Sequence, residues 1–216
     1  MKKNKNLTVL ILLVGLFGIN TNAQDNADAK KILDGVSAKM KSYTTMKIEF
    51  TYTMTNAKTN VNESKTGVIQ IKGNKYRLEI GGQIVFCDGK TVWTYLKDEK
   101  EVNINNVSTQ EDAINPTTIL NNYVANFKPK FIKDAVEGGK TISIVDMTPI
   151  KGKTYYKVRL NINKVAQQIA STIVYDKNGT TYTYKVNKFT PNLAMADALF
   201  TFNKANYPGV EENDMR

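Results

Sequence analysis

After Tyr43 the chain alternates. In "MKIEFTYTMT", Met46, Ile48, Phe50, Tyr52 and Met54 fall on one side and Lys47, Glu49, Thr51 and Thr53 on the other, the period of two of a strand with one face buried. Segments of the same kind follow closely: "TGVIQIK", "KYRLEI", "QIVFCD", "TVWTYL" and "EVNINNV". Gly73-Asn74, Gly81-Gly82, Asp88-Gly89 and Lys97-Asp98 separate them, pairs suited to tight turns. Links this short leave no room for crossover helices, so an antiparallel meander is expected. A second series runs through "KPKFIKDAVE", "GKTISIVDMT", "TYYKVRLNIN", "AQQIASTIVYD" and "TYTYKVNKF", with turns at Gly138-Gly139, Lys151-Gly152 and Asn178-Gly179. "ALFTFN" predicts a short last strand, ahead of an irregular tail, "KANYPGVEENDMR".

Two stretches depart from this rhythm. Residues 26–42, "NADAKKILDGVSAKMKS", place Ile32, Leu33, Val36 and Met40 on one helical face, three and four residues apart. Residues 108–127, "STQEDAINPTTILNNYVANF", offer Asn115 as a cap and Pro116 at the first helical position. Ile119, Leu120, Tyr123, Val124 and Phe127 then form an apolar stripe. The fold class is therefore mainly β with helices (α+β), about eleven or twelve strands in all. A sheet that large in one domain must curl or split, and a twisted sheet wrapping a helix as an open or flattened barrel accounts for both helices.

The N-terminus has a separate logic. "MKKNKN" is cationic, "LTVLILLVGLFGI" is apolar, and "NTNA" supplies small residues before Gln24. That layout is a secretory signal over residues 1–23, too short for a membrane anchor, leaving residues 24–216 as a single domain. No cysteine stands near the expected cleavage site to carry a lipid, so a soluble monomer is expected. The net charge of +10 falls to +7 without Lys2, Lys3 and Lys5, 27 basic residues against 20 acidic. An exported protein rarely meets nucleic acid, so an anionic membrane surface or an acidic partner fits this charge better.

Catalytic chemistry is thinly represented. The chain has no histidine, which removes the commonest general base and metal ligand; no metal or other cofactor is expected. A carboxylate pair of the glycosidase kind remains open, although Asp34, Glu49, Asp88, Asp98, Glu99, Asp134, Asp146 and Asp176 mostly lie at turns or on polar strand sides. Cys87, the single cysteine, has only Lys90 nearby as a base. "VFCDGKTVWTY" is better read as a hairpin about Asp88-Gly89, with Cys87 a packing residue. What stands out is the recurrence of Met and aromatic residues on strand faces. They suit either an ordinary core or an adaptable apolar cavity.

Several stretches together resemble the LolA family of periplasmic lipoprotein-localisation carriers: "AKKILDGVSAKMKSYTTMKIEFTYT", "TGVIQIKGNKYRLEI", "QIVFCDGKTVWTYLKDEKEV", "INPTTILNN" and "LFTFNKANYPGVEEND". The resemblance implies an unclosed antiparallel barrel whose concave face is lidded by helices. It also implies a shuttle and not an enzyme. Such a shuttle takes acylated lipoproteins from an inner-membrane lipoprotein-releasing ABC transporter and delivers them to an outer-membrane acceptor. The acyl chains are then expected to meet Ile32, Leu33, Val36, Phe50, Tyr52, Met54, Ile71, Tyr76, Leu78, Phe86, Trp93, Tyr95, Ile119, Leu120 and Tyr123. Family members often carry Arg-Pro where this chain has Lys72-Gly73, and that arginine latches the lid; Lys72 is the corresponding candidate, offering a point charge in place of a planar fork. The same fold also suits an envelope sensor or a glycolipid- or lipid-binding module.

Overall fold

The structure, a computed structural model, describes residues 21–107 and 123–216, with side chains from Gln24 onward. Helix α1 (Thr21–Lys41) precedes six strands: β1 (Met46–Asn56), β2 (Val61–Lys72), β3 (Lys75–Ile80), β4 (Gln83–Cys87), β5 (Thr91–Leu96) and β6 (Glu101–Asn106). A single helical turn, α2 (Tyr123–Asn126), leads into β7 (Phe127–Glu137), β8 (Lys140–Pro149), β9 (Tyr155–Asn163), β10 (Gln168–Asp176) and β11 (Thr181–Pro191). Two 3-10 turns, Asp197–Phe200 and Lys204–Asn206, follow before β12 (Glu211–Asp214). All twelve strands form one sheet in the order β12-β6-β5-β4-β3-β2-β1-β11-β10-β9-β8-β7. It consists of two antiparallel meanders zipped together by β1 and β11, and it does not close into a barrel.

The turns fall where glycine permits them. At β4–β5, Gly89 sits at φ +97° and Asp88 Oδ1 accepts from the backbone N–H groups of Lys90 and Thr91 at 2.8 Å each. That is a side chain standing in for a backbone turn partner. Register breaks at Glu49/Phe50, Phe131/Lys133 and Ile169/Ser171 add the local twist that bulges bring, which suits a sheet of this width curving over a helix.

Three expectations need correction. The C-terminal segment is not an irregular tail: Glu211–Asp214 pair with Glu101–Ile104, and they do so in parallel, so the sheet is not a pure antiparallel meander. "ALFTFN" forms no strand; its first three residues lie in the 3-10 turn Asp197–Phe200, and Phe200 is fully buried. Phe127, assigned above to a helical stripe, is the first residue of β7, and Val124 of the same stripe is largely exposed. Asn115, Pro116, Ile119 and Leu120 lie outside the described residues.

The core lies where α1 meets the second meander. Ala29, Leu33 and Val36 of α1 pack with Val145, Met147, Val158, Leu160, Ile162 and Val174, all at most 2% exposed. A smaller cluster of Met46, Phe50, Ile69 and Ile71 continues along β1 and β2, and Met40 and Tyr184 touch both. None of the described helices is long and apolar enough to cross a membrane.

Candidate functional site

Directly opposed residues in a ladder share a face, so the registers trace each side of the sheet from edge to edge. The face beneath α1 carries Val145 and Met147 of β8, Val158 and Leu160 of β9, Val174 of β10, Tyr182 and Tyr184 of β11, and Phe50, Tyr52 and Met54 of β1. It continues through Ile69 and Ile71 of β2, Tyr76 and Leu78 of β3, Val85 and Cys87 of β4 and Val92 of β5. Ile32, Leu33, Val36, Phe50, Tyr52, Met54, Ile71, Tyr76 and Leu78 are thus brought to one face, with the buried Tyr123 of α2 in the same core.

That face differs along its length. Under α1 it is solid. Across β1 and β3 it is only half-buried at Ile48, Tyr52, Met54, Tyr76, Leu78 and Ile80. At one place the wall is thinned: Gly67, opposite Phe50 on β2, lies so close beneath that ring that an added Cβ would come within 2.6 Å of it. Near the end of β1, Tyr52, Tyr155, Val174, Tyr182 and Tyr184 line a hollow of about 290 Å³, with Thr154 and Asp176 at its rim. Tyr52 stacks on Tyr182 at 6.3 Å and tilts against Tyr184 at 5.3 Å. Burial, reinforced by Tyr52 and Tyr182, pushes the Tyr184 phenol up to about 12. Burial, with Cys87 alongside, does the same for Tyr76. Both phenols stay neutral in an apolar setting.

Phe86, Trp93 and Tyr95 do not share this wall. Phe86 pairs with Arg77 and Trp93, and Tyr95 pairs with Ile84, so all three point to the opposite side. There Phe86 and Tyr95 meet Phe202 and Tyr207 of the C-terminal segment, Tyr95 and Tyr207 at 4.4 Å and Phe202 and Tyr207 at 4.9 Å. Alternation assigns two faces but not which one α1 covers, and β4 and β5 are apolar on both.

Lys72 belongs to that opposite side as well. Its Nζ donates to the Met195 carbonyl at 3.0 Å and to Asp197 Oδ1 at 2.8 Å, while Lys75 Nζ reaches Asp197 Oδ2 at 2.8 Å. The ammonium does bond a backbone carbonyl, but the element it holds is the C-terminal segment, a strap across β3 and β4. The Asp197 carboxyl, drawn down to about 2 by Lys72 and then Lys75, is fixed ionised at neutral pH. A carboxyl whose folded value lies below its free value of 3.8 stabilises the fold above that value and loses the effect as pH falls toward 2. The near-ultraviolet signal of the Phe86–Phe202–Tyr207 cluster is therefore expected to weaken between about pH 4 and pH 2, and Asp197→Asn to abolish that step. A step that persists in Asp197→Asn would assign it to another carboxyl.

Three of the carboxylates considered for catalysis, Asp146, Asp134 and Asp88, are taken up in structural contacts. Asp146 takes both a bidentate Arg159, at 2.6 and 2.9 Å, and Lys157. Asp134 accepts from Ser143 at 2.7 Å and from Lys164 at 2.5 Å, and Asp88 holds its turn. Cys87 is 1% exposed, and burial raises its thiol against a smaller opposing pull from the Gly89 N–H. The thiol is protonated and inert. Among the described residues no group of three or more Cys, Asp or Glu gathers in a metal-binding arrangement.

The family described as outer membrane lipoprotein carrier protein LolA matches residues 41–203, every strand from β1 to β11. The chain belongs to the LolA family. Among solved structures, an uncharacterized conserved protein from Thermus thermophilus matches at TM-score 0.60 and 12% identity, over 87% of this chain and 99% of its own. Lipoprotein LppX of Mycobacterium tuberculosis matches at TM-score 0.52 and 10% identity, over 79% and 98%. LolA superfamily protein NE2245 of Nitrosomonas europaea is more distant, at 0.45 and 13%, over 81% and 97%. At such identities the likeness is one of fold. No curated protein matches the chain by sequence. The LolA match begins at Lys41, so the placement of α1 over the sheet comes from the packing of Leu33 and Val36 and not from the family.

Proposed function

We propose that this LolA-family protein is a periplasmic carrier that shelters the acyl chains of lipoproteins on the α1 side of its sheet. Residues 1–23 then act as a cleaved export signal and residues 24–216 as the single carrier domain. An inner-membrane lipoprotein-releasing ABC transporter supplies the cargo, and an outer-membrane acceptor takes it. The supporting observation is the half-buried row Ile48, Tyr52, Met54, Tyr76, Leu78 and Ile80, continuous with the aromatic hollow at Tyr182 and Tyr184. Flexible Met and flat aromatic side chains conform to a hydrocarbon chain without demanding one shape.

Mass spectrometry of organic and proteolytic extracts from protein purified out of the cell envelope tests this reading. Acylated lipoprotein peptides in stoichiometric yield are the expected result. Glycolipid or free lipid in their place would move the function to a lipid-binding module on the same fold. An empty protein from cells rich in lipoproteins would overturn the carrier reading.

A further inference from the structure

The side chains that join α1 to its neighbours differ on its two flanks. On one flank, the Tyr123 hydroxyl of α2 donates to Asp34 Oδ1 at 2.6 Å, and Lys30 Nζ donates to Asp34 Oδ2 at 2.5 Å. The Tyr123 ring is 4% exposed and belongs to the core with Leu33 and Val36. The carboxylate it grips sits on the exposed side of α1. Lys30 and then Tyr123 lower the Asp34 carboxyl, so the acceptor is charged when the bond forms. α2 itself is tied down, because the Ile150 N–H donates to the Asn126 carbonyl at 2.9 Å. On the other flank the link among the described residues is looser: Asp25 of α1 meets Lys130 of β7 at 3.7 Å, with both side chains substantially exposed. A cavity of about 400 Å³ lies there between α1 and β7 and β9, lined by Ile32 and Val36 of the helix and Phe131 and Ile162 of the strands, with Lys31 and Lys164 also on its wall.

A helix with a void along one flank forgoes contacts there that a fully packed helix would make, so the short Tyr123–Asp34 bond is the stronger of the two side-chain ties on α1. We infer that the Tyr123–Asp34 hydrogen bond is the latch that holds α1 down and sets the rate at which an acyl chain gains the sheet beneath it. The inference rests on the carrier reading for its purpose, but the latch itself is a property of α1 and α2. Tyr123 and Asp34 are positioning residues here: neither is required to touch cargo. Lys72, whose bonds hold the strap on the far face, is not needed for this closure.

Tyr123→Phe keeps the ring and deletes the bond. Amide exchange of Ala29–Met40 and association of a fluorescent sixteen-carbon fatty acid are both expected to quicken by roughly threefold to tenfold, the scale of one charge-assisted hydrogen bond discounted for exposure. Asp34→Ala removes the acceptor from the exposed flank without touching the core and should reproduce the effect. Lys30→Ala removes only the ion pair, leaves the Tyr123 bond in place, and should stay near wild type. If α1 exchange in Tyr123→Phe and Asp34→Ala matches wild type, the latch is overturned. If exchange quickens but the fatty acid binds neither wild type nor variants, the latch stands and the carrier reading falls.

Discussion

Leu160→Ala is expected to lower stability by about 2–5 kcal/mol, the range for truncating a fully buried leucine. Leu160 has no exposed surface and packs in the cluster that includes Leu33 and Val36 of α1. Both neighbours on its ladder, Val145 and Thr172, belong to strands paired on both sides, so the site is expected to collapse little and the cost to sit above the middle of the range. Each kcal/mol is worth roughly 2–4 °C in the melting temperature of a domain this size, so a shift on the order of 10 °C should be read by calorimetry. A loss under about 1 kcal/mol would mean that α1 does not seal this half of the sheet, and with it would go the division into a packed half and an open half.

That division was only partly legible in the sequence. The strands and hairpins were, because Asp88-Gly89 and Gly138-Gly139 mark tight turns and Met46–Met54 alternates without interruption. Helix α1 was, because Leu33 and Val36 recur at helical spacing. The pairing of β12 was not. Glu211, Glu212, Asn213 and Asp214 are all exposed and give no alternation to read; their strand exists only because β6 offers an open edge, and an open edge invites pairing. "ALFTFN" misleads for the opposite reason. Phe200 and Phe202 look like one side of a strand, but Phe200 is buried and the Phe202 ring reaches the sheet surface at Phe86 and Tyr95, so side-chain burial replaces backbone pairing. The face of Phe86, Trp93 and Tyr95 was hidden because "VFCDGKTVWTY" carries large apolar residues on both sides of its strands. Period two then has little contrast to work with, and only the register back to β1 decides.

The two halves also make energetic sense as a carrier. Sheltering acyl chains releases about 0.8 kcal/mol per methylene, so a fully enclosed sixteen-carbon chain would approach about 12 kcal/mol and be released too slowly. A solid half under α1 limits how much chain is enclosed unless the helix moves, and lifting Leu33 and Val36 off Val145 and Leu160 opposes uptake. Cargo that replaces these contacts, in place of adding to them, is held with moderate net affinity. On the proposed carrier reading, the hollow at Tyr52, Tyr182 and Tyr184 would serve as the entry surface, since it stays open while α1 is packed on the sheet.

Leu78→Glu should abolish most acyl-chain capture while leaving the fold in place. Leu78 is half-buried on β3, opposite Ile69 and Val85 on the α1 side. A carboxylate tolerates that position in the empty protein because water reaches it. Once a hydrocarbon chain lies across the row, the same carboxylate must either lose its water or repel the chain. Dehydrating an unpaired ionised group costs several kcal/mol, and each 1.4 kcal/mol is a factor of ten in affinity, so capture should fall by at least an order of magnitude. Tyr76→Glu, one pair along the same row, should behave alike. Thr66→Glu places the same charge on β2 facing the other way, opposite Thr51, and should bind cargo as wild type does. Equal co-purification of acylated lipoprotein by Leu78→Glu and Thr66→Glu would show that cargo does not lie along β3, because a charge on that wall and a charge behind it cannot be equivalent to a buried acyl chain.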